Sequence, residues 1–282
     1  MKPARFDYVR ATTVAEAVAE LSQPDGVAKV LAGGQSLVPM LNLRLAPVSL
    51  LVDVADLPAL TGDEDTGNGA IRYGACVTHA DIEDGRVADP SHGLLPRIAR
   101  DIAYRAIRTK GTIGGSIALA DPSAEWPAAM MALNATFDVE GSVGSRAIVA
   151  GDMFHGAYTT ALADDELLTG VRIPHLSREA RSSFYKVCRK TGEFAASLAV
   201  VVTDRAHDRR AVVLGGVSGA PMRLKRVEDV LASSDSNGSA MADRVRGAAI
   251  ADLAASGRDF ANDDRRLHAA TATRAVMRAL ES

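Results

Sequence analysis

The sequence predicts an α+β fold: two α/β subdomains, followed by a C-terminal domain in which helices pack on a three-stranded antiparallel sheet. Helix-like and strand-like apolar patterns alternate through most of residues 1–177. Three strand-like segments then follow one another, and every later segment has helical spacing. A chain of 282 residues with 47% hydrophobic residues can also bury a sizeable core.

The first subdomain, about residues 1–56, is predicted from one helical and two strand-like patterns. TTVAEAVAELSQ places a threonine cap before apolar residues at helical spacing, which predicts the first helix. KVLAGG is typical of a short strand ended by glycines, SLVPMLNLRL of a helical or turn segment, and SLLVDV of a second strand. Together these segments predict a small α/β unit.

The second subdomain, residues 57–177, begins at a break in this pattern. LTGDEDTGNG is rich in glycine and aspartate, and AIRYGACVTHADIE then has the alternation of a strand before a helix start. LLPRIARDIAYRAIR predicts a helix, TKGTIGGSIAL a glycine-rich turn, and SAEWPAAMMALNATFDVEG a helix that leads into a strand. The uneven pattern from Arg146 to Pro174 predicts loops and short strands.

The C-terminal domain, residues 178–282, is predicted as a meander followed by helices. SSFYKVCRK, FAASLAVVVTD and RAVVLGGVSG are strand-like and consecutive, which favours antiparallel pairing. RVEDVLASS, MADRVRGAAIADLAAS and DDRRLHAATATRAVMRALES have helical spacing and good helix formers.

Composition and charge exclude several classes of function. The formal net charge of −3 offers no basic surface to a nucleic acid. The N-terminus is charged where a secretory signal needs an apolar core, and the longest apolar runs are too short to span a bilayer, so we expect a cytoplasmic protein. Cys76 and Cys188 cannot form a disulfide framework, a zinc site or an iron–sulfur site, and the histidines lack ligand spacing, so no metal site is expected. Surface or hydrogen-bonded histidines are the better interpretation.

Two glycine segments carry the main functional signal: AGGQS, Ala32 to Ser36, and TIGGS, Thr112 to Ser116. Backbone N–H groups of a glycine-rich turn can converge on an anion, since glycine tolerates positive φ and has no Cβ. One such segment is more often a simple tight turn. Two of them, each with an adjacent hydroxyl, would suit a pyrophosphate held from two sides. Neither matches GxGxxG or GxxxxGK[ST], so we expect a dinucleotide bound by a different fold.

Five segments in order, KVLAGGQSLVPMLNLRL, IRTKGTIGGSIALADPSAEWPA, DELLTGVRIP, FYKVCRKTGEFA and VVLGGVSGAPMR, resemble the medium, FAD-binding subunit of the molybdenum hydroxylases. This is the carbon monoxide dehydrogenase and xanthine dehydrogenase family. The resemblance runs from about Arg5 to the C-terminal helix. It implies the FAD-binding fold of the vanillyl-alcohol oxidase (PCMH) type, in two α/β subdomains with FAD between them, followed by the family's C-terminal domain.

The resemblance also implies a set of cofactor-binding residues. They are Leu31, Ala32, Gly33, Gly34, Gln35, Ser36, Leu37, Ile102, Thr112, Ile113, Gly114, Gly115, Ser116, Glu125, Leu168, Lys186 and Phe194. By this resemblance AGGQS wraps the pyrophosphate through its backbone N–H groups, and TIGGS closes on it from the second subdomain. Most relatives have asparagine at the position of Ser116. Ile102 is expected near the adenine.

The remaining positions are expected around the sugar chain and the flavin ring. Glu125, where the family commonly has aspartate, would accept from a ribityl or ribose hydroxyl; alternatively it is a solvated acid at a helix start. The Leu168 backbone would meet the flavin. Lys186 would lie near the flavin's pyrimidine edge, where a cation stabilises negative charge on the reduced ring; alternatively it is an exposed strand lysine. Phe194, where tyrosine is usual, matches a mobile aromatic that covers the ring, and a core aromatic is an equal alternative.

The function implied is that of an oxidoreductase subunit with noncovalent FAD and no catalytic acid or base of its own. Electrons would come from the two 2Fe-2S clusters of a small subunit and pass through FAD to a quinone, NAD or oxygen. A large subunit would carry the molybdenum cofactor and hydroxylate the substrate, in a dimer of heterotrimers. Two alternatives remain: a stand-alone flavin-dependent oxidase or reductase, and a non-enzymatic scaffold subunit that has lost FAD.

Overall fold

The first subdomain is built on a parallel sheet, as seen in a computed structural model that describes residues 2–22, 26–233 and 238–281. Its elements are β1 (Asp7–Arg10), α1 (Val14–Leu21), β2 (Ala28–Leu31), α2 (Leu37–Asn42) and β3 (Leu50–Asp53). The strand order is β1-β3-β2, and Val52 of β3 pairs with Val9 on one side and Val30 on the other. The predicted helix and both predicted strands are confirmed, and Thr13 caps α1 by accepting from the Glu16 N–H at 3.0 Å.

Strand β1 is an addition to the prediction. Its four residues, DYVR, are mostly exposed, because it is an edge strand that packs little of its surface into the core. A short exposed strand has no apolar alternation from which to predict it. Three predicted segments have Gln23, Ser234 and Ser282 as their last residues. These three residues lie outside the described part of the chain.

The second subdomain is built on an antiparallel sheet in the order β4-β5-β10-β6-β7. Its strands are β4 (Asp63–Asp65), β5 (Ala70–Gly74), β6 (Thr136–Gly141), β7 (Gly144–Val149) and β10 (Leu167–Pro174), with a separate hairpin of β8 (Phe154–Gly156) and β9 (Thr159–Thr160). Its helices are α3 (His79–Glu83), α4 (Leu94–Asp101), α5 (Arg105–Arg108), α6 (Ile113–Leu119), α7 (Glu125–Ala132) and α8 (Ala150–Met153), and a 3₁₀ turn spans Pro58–Leu60.

Two predictions in this subdomain were wrong. TKGTIGGSIAL is not a turn, since Ile113–Leu119 forms α6 with Thr112 as its N-cap. The expected single helix in LLPRIARDIAYRAIR is interrupted after Asp101, where Ala103 has φ +41°. Arg108 stabilises this break by donating to the carbonyls of Ile102 and Ala103 at 3.0 and 3.1 Å. Both outcomes depend on contacts that lie outside the local pattern.

The C-terminal sheet has the order β11-β12-β13-β14. Its elements are β11 (Arg181–Val187), β12 (Ser197–Asp204), a 3₁₀ turn (Arg205–His207), β13 (Arg209–Gly215), β14 (Met222–Arg223), α9 (Lys225–Ala232), α10 (Ser239–Ala255) and α11 (Asn262–Glu281). The antiparallel meander of three strands and the three helices are confirmed. The two-residue β14 adds a fourth strand that is too short to give a pattern.

Strand β12 joins this sheet to both of its neighbouring layers. Leu198, Val200 and Val202 pack in the same core as α7 of the second subdomain, whereas Ala199 and Val201 pack in the core that contains α11. The three larger sheets of the described residues occupy successive parts of the chain. We therefore propose domains of residues 1–177 and 178–282, with subdomains of about 1–56 and 57–177. No helix among the described residues combines the length and the apolarity that a membrane crossing requires.

Asp204 holds the start of the C-terminal domain to its sheet. Its carboxylate is fully buried and accepts from the Ser177 N–H at 2.8 Å and the Ser177 hydroxyl at 2.6 Å, and His207 Nδ1 lies 2.8 Å from Oδ2. Burial alone would raise the pKa of Asp204, but the hydrogen bonds from Ser177 and His207 outweigh it and hold the pKa well below its ordinary value.

We expect Asp204→Asn to reduce the free energy of unfolding by about 1–3 kcal/mol at pH 7, because it removes buried charge-assisted hydrogen bonds. Since the folded pKa is lowered, this stabilisation is fully present above the ordinary pKa of about 4, and it is lost progressively as the pH falls from there towards the lowered folded pKa. Urea unfolding from pH 7 towards pH 3 should show the two proteins converging. Asp208→Asn, an exposed aspartate paired with Arg210 nearby, is the matched control and should remain near wild type.

Candidate functional site

The AGGQS segment lies at the carboxyl end of β2 and leads directly into α2. The amide N–H groups of Gly33, Gly34, Gln35 and Ser36 make no hydrogen bond to any acceptor in the described residues. The Gln35 side-chain amide donates to the Gly33 carbonyl at 2.8 Å and helps to fix the turn. Successive free amides in one turn form a concave donor surface suited to an anion.

Gly33 and Gly34 are required for different reasons. A Cβ on Gly33 would overlap the carbonyl of Lys110 and lie 2.9 Å from Gly111 Cα, so two backbones meet here with no room for a side chain. Gly34 has φ +70°, and a Cβ on it would lie 3.1 Å from Val38 Cγ2 and 3.3 Å from Leu31 Cδ1. The segment is therefore limited by space at one glycine and by backbone conformation at the next. Leu31 and Leu37, on either side of it, are partly buried against a small core.

The TIGGS segment faces AGGQS but offers a different surface. Its amides already have acceptors: Ile113 donates to Val77 O, Gly114 to Ala75 O, Gly115 to Thr112 Oγ1 and Ser116 to Thr112 O, at 2.9–3.1 Å. The Gly115 Cα faces Ala32, because a Cβ on this glycine would lie 4.0 Å from the Ala32 Cβ. The half-buried Ser116 hydroxyl has no hydrogen-bond partner within residues 2–22, 26–233 and 238–281. From this side a ligand would meet the Ser116 hydroxyl and a bare glycine rather than free amides, since Thr112 is 5% exposed and its hydroxyl already accepts from Gly115.

Close packing against Ala75 explains the glycine at position 114. A Cβ there would lie 2.5 Å from the Ala75 carbonyl oxygen, so this helix start is pressed against the end of β5. The buried His79 supports the same region: its backbone N–H donates to Gly111 O at 2.9 Å, and its ring Nδ1 accepts from Trp126 Nε1 at 3.1 Å. Burial, with a smaller contribution from Arg108, lowers the pKa of His79 to about 4, so the ring is neutral. The interpretation of His79 as a hydrogen-bonded histidine is confirmed.

Glu125 and Lys186 form a buried ion pair. Lys186 Nζ lies 2.7 Å from Glu125 Oε1. The side chain of Glu125 is 6% exposed and that of Lys186 is 5% exposed. Lys186 also donates to the Asp101 carbonyl at 2.9 Å. Burial raises the pKa of Glu125, and the charge of Lys186 opposes that shift. The alternatives of a solvated acid and an exposed strand lysine are therefore wrong, whereas the roles of both residues towards a cofactor remain predictions.

Phe194 lies in the connection between β11 and β12 and is 66% exposed. The alternative that it is a core aromatic is therefore wrong. Leu168 is the second residue of β10, just before an irregularity in the pairing with β6 that ends at Gly170, and its side chain is buried. Its backbone pairs with Val139 of β6, whereas pairing with β5 starts only at Gly170, so its second edge has no strand partner among the described residues.

Two of the expected contacts leave little side-chain surface for a ligand. Ile102 is 9% exposed and Ile113 is fully buried, and both pack in the main core. The structure adds three positions to the site that the sequence did not indicate: the Lys110 carbonyl against Gly33, Ala75 against Gly114, and Asp101 on Lys186. Each joins residues that are distant in sequence and carries no local signal. The described residues contain no group of three His, Cys, Asp or Glu side chains placed to hold a metal ion.

Comparison with known proteins gives consistent matches. A family model described as FAD binding domain in molybdopterin dehydrogenase matches residues 4–176. The chain is 35% identical over 238 residues to the nicotine 6-hydroxylase medium subunit of Paenarthrobacter nicotinovorans, covering 83% of each protein. It is 31% identical over 286 residues to caffeine dehydrogenase subunit beta of Pseudomonas sp. strain CBB1, covering 100% of this chain and 97% of the relative.

Solved structures agree with these sequence matches. The chain superimposes, with a TM-score of 0.90 and 31% identity, on carbon monoxide dehydrogenase from Hydrogenophaga pseudoflava lacking the Mo-pyranopterin moiety of the molybdenum cofactor. This match covers 100% of the present chain and 99% of that one.

Proposed function

We propose that this chain, which belongs to the FAD-binding medium subunits of the molybdenum hydroxylases, takes electrons from 2Fe-2S clusters of a small partner subunit and passes them through FAD to an external acceptor. Membership of the family, the α+β fold of its medium subunits and FAD as the cofactor are established by the family match and the full-length structural match. The chain is thus an FAD-binding subunit of an oxidoreductase complex. The direction of electron flow, the acceptor and the roles of individual residues are the proposal.

The observation that carries the proposal is the free amide surface of AGGQS, closed by the Lys110 backbone on one side and facing Gly115 on the other. A pyrophosphate is an anion that such a surface binds. We propose that Ala32 to Ser36 donate to it through the backbone, and that Thr112 and Ser116 contribute hydroxyls from the second subdomain. The two glycines let the turn take this form, because Gly33 has no Cβ to meet the Lys110 carbonyl and Gly34 takes a positive φ.

The flavin ring is proposed to lie between Leu168, Lys186 and Phe194. FAD supplies a group that accepts and releases electrons singly or in pairs, which suits a junction between one-electron and two-electron carriers. The free backbone edge of Leu168 can hydrogen-bond a polar ring edge, and the Lys186 cation favours negative charge nearby. Glu125 fixes the lysine and limits that effect, because its carboxylate lies 2.7 Å away. Phe194 is the exposed aromatic available to cover the ring.

The partners are proposed from what this chain lacks. A 2Fe-2S cluster needs four protein ligands, commonly cysteines, and the chain contains two cysteines. Burial raises the pKa of Cys76 to about 12, so this thiol is a poor ligand. We propose that a small subunit carries the clusters, that a large subunit carries the molybdenum cofactor, and that the complex is a dimer of heterotrimers. A quinone, NAD or oxygen would be the acceptor.

The test is reconstitution of the full chain with FAD, alone and with its copurifying partners. We expect stoichiometric FAD, released into the supernatant by acid precipitation because it is noncovalent. We also expect the substrate of the complex to reduce the flavin only when the partner subunits are present. Colour that stays in the acid pellet would contradict noncovalent binding. Reduction of the isolated chain by small alcohols would favour a stand-alone flavoenzyme, whereas reduction by NADH is also expected of a subunit whose acceptor is NAD. Failure to bind FAD would favour a scaffold subunit.

A further inference from the structure

The junction between α4 and α5, residues Asp101–Tyr104, contacts two parts of the C-terminal domain that are proposed to face the flavin. The Asp101 carbonyl accepts from Lys186 of β11 at 2.9 Å. The Tyr104 ring packs against Gly192, in the loop that follows β11. Arg108, itself paired with Glu83 at 2.8 Å, holds the junction through its carbonyls. The junction is therefore held in place by residues of the second subdomain.

The contact with Tyr104 explains why residue 192 is a glycine. A Cβ on it would lie 2.7 Å from Tyr104 Cε1 and 2.9 Å from Tyr104 Cζ, so the ring rests directly on the glycine Cα. Gly192 also has φ +86°, a conformation that other residues adopt with strain. Both the space and the conformation at this position fit a loop that passes over the Tyr104 ring. The Tyr104 hydroxyl makes no hydrogen bond within the described part of the chain, so the contact is made by the ring.

The Cys188–Ala196 loop has a second anchor on the far side of Phe194. Ala195 is 4% exposed and packs in the main core, and the Ala196 N–H donates to Val187 O at 2.8 Å. Phe194 lies between this anchor and Gly192, with 66% of its surface exposed. Its own packing therefore does not determine its position. The position of Phe194 is determined by the two anchors on either side of it, at Gly192 and at Ala195–Ala196.

We infer that Tyr104 is a positioning residue: by packing on Gly192 it fixes the Cys188–Ala196 loop and so holds Phe194 over the flavin. This inference rests on the proposed function for its flavin part, and on the contact alone for its loop part. The same junction holds Lys186 through Asp101 and leads in sequence to Thr112.

The loop part is tested by limited trypsin digestion of the full chain without FAD. The side chains of Arg189 and Lys190 are 86% and 66% exposed, so cleavage after them reports how often the loop opens. We expect Tyr104→Ala to be cleaved there about fivefold to tenfold faster than wild type, since cleavage follows the open population. Tyr104→Phe keeps the ring and should be cleaved like wild type. Tyr8→Ala, at another exposed tyrosine, is the matched control.

The flavin part is tested on the FAD-loaded chain by iodide quenching of flavin fluorescence. We expect Tyr104→Ala and Phe194→Ala to raise the quenching constant by similar amounts, with Tyr104→Phe restoring the wild-type value. Unchanged tryptic cleavage in Tyr104→Ala, in a protein whose thermal unfolding is normal, would overturn the loop contact. Faster cleavage with unchanged quenching would overturn the role over the flavin. A wild-type chain that binds no FAD would instead refute the proposed function and leave the digestion result standing.

Discussion

Gly34→Val should leave the purified chain without FAD. Valine at φ +70° is a strained β-branched residue, and its side chain would press on Val38 and Leu31, which lie 3.1 and 3.3 Å from the position of a Cβ. The turn must then change conformation, and its free amides no longer converge. We expect affinity for FAD to fall at least ~100-fold, which corresponds to about 2.7 kcal/mol. Titration of the apoprotein with FAD, followed by flavin fluorescence, measures the change.

Gly85→Val is the matched control for this prediction. Gly85 has φ +67°, and a Cβ on it would meet no atom within 4 Å, so the backbone strain is similar but lies away from AGGQS. FAD affinity should stay at the wild-type value although stability falls. Gly33→Ala is the complementary variant, because φ at Gly33 is unstrained and only the space beside the Lys110 carbonyl is removed. Wild-type FAD affinity in both AGGQS variants would refute the proposed amide grip.

Sequence patterns predicted the strand–turn–helix conformation around AGGQS correctly because that conformation is local. A short apolar strand, two glycines and a helical segment follow one another within a few residues, and each has its own signal. TIGGS looked equivalent, yet it became a helix start whose amides are occupied. The amides of Ile113 and Gly114 donate to the carbonyls of Val77 and Ala75, which follow the end of strand β5. Glycine propensity favoured a turn, and tertiary packing outweighed it.

The residues around the proposed flavin position could be predicted only by resemblance. Glu125 and Lys186 are 61 positions apart, and neither local pattern indicates that they pair or that both are buried. The same limit applies to Tyr104 and Gly192, since a glycine with positive φ in a strand connection is ordinary until the ring beside it is known. Periodicity predicts which face of an element is buried. It does not predict which distant side chain meets that face.

Lys186→Met should be the most destabilising substitution in the site. It removes the cation from a carboxylate that is 6% exposed, and breaking a buried pair in this way costs about 3–5 kcal/mol of unfolding free energy. Burial already raises the pKa of Glu125, so loss of Lys186 favours the protonated acid further. A raised folded pKa gives stability that is present below the ordinary pKa of about 4.3 and lost as the pH rises. The deficit measured by urea unfolding should therefore grow from pH 5 to pH 8.

The double variant Lys186→Met/Glu125→Leu separates structure from cofactor chemistry. Replacing a buried ion pair by apolar side chains of similar size is often neutral for stability, so most of the lost unfolding free energy should return. The flavin reduction potential should stay below the wild-type value in both variants, because both lack the cation proposed to stabilise negative charge on the reduced ring. A potential equal to that of wild type in the FAD-loaded double variant would mean that Lys186, together with its paired carboxylate, has no net effect on the ring. It would restrict the role of the ion pair to joining α7 to β11.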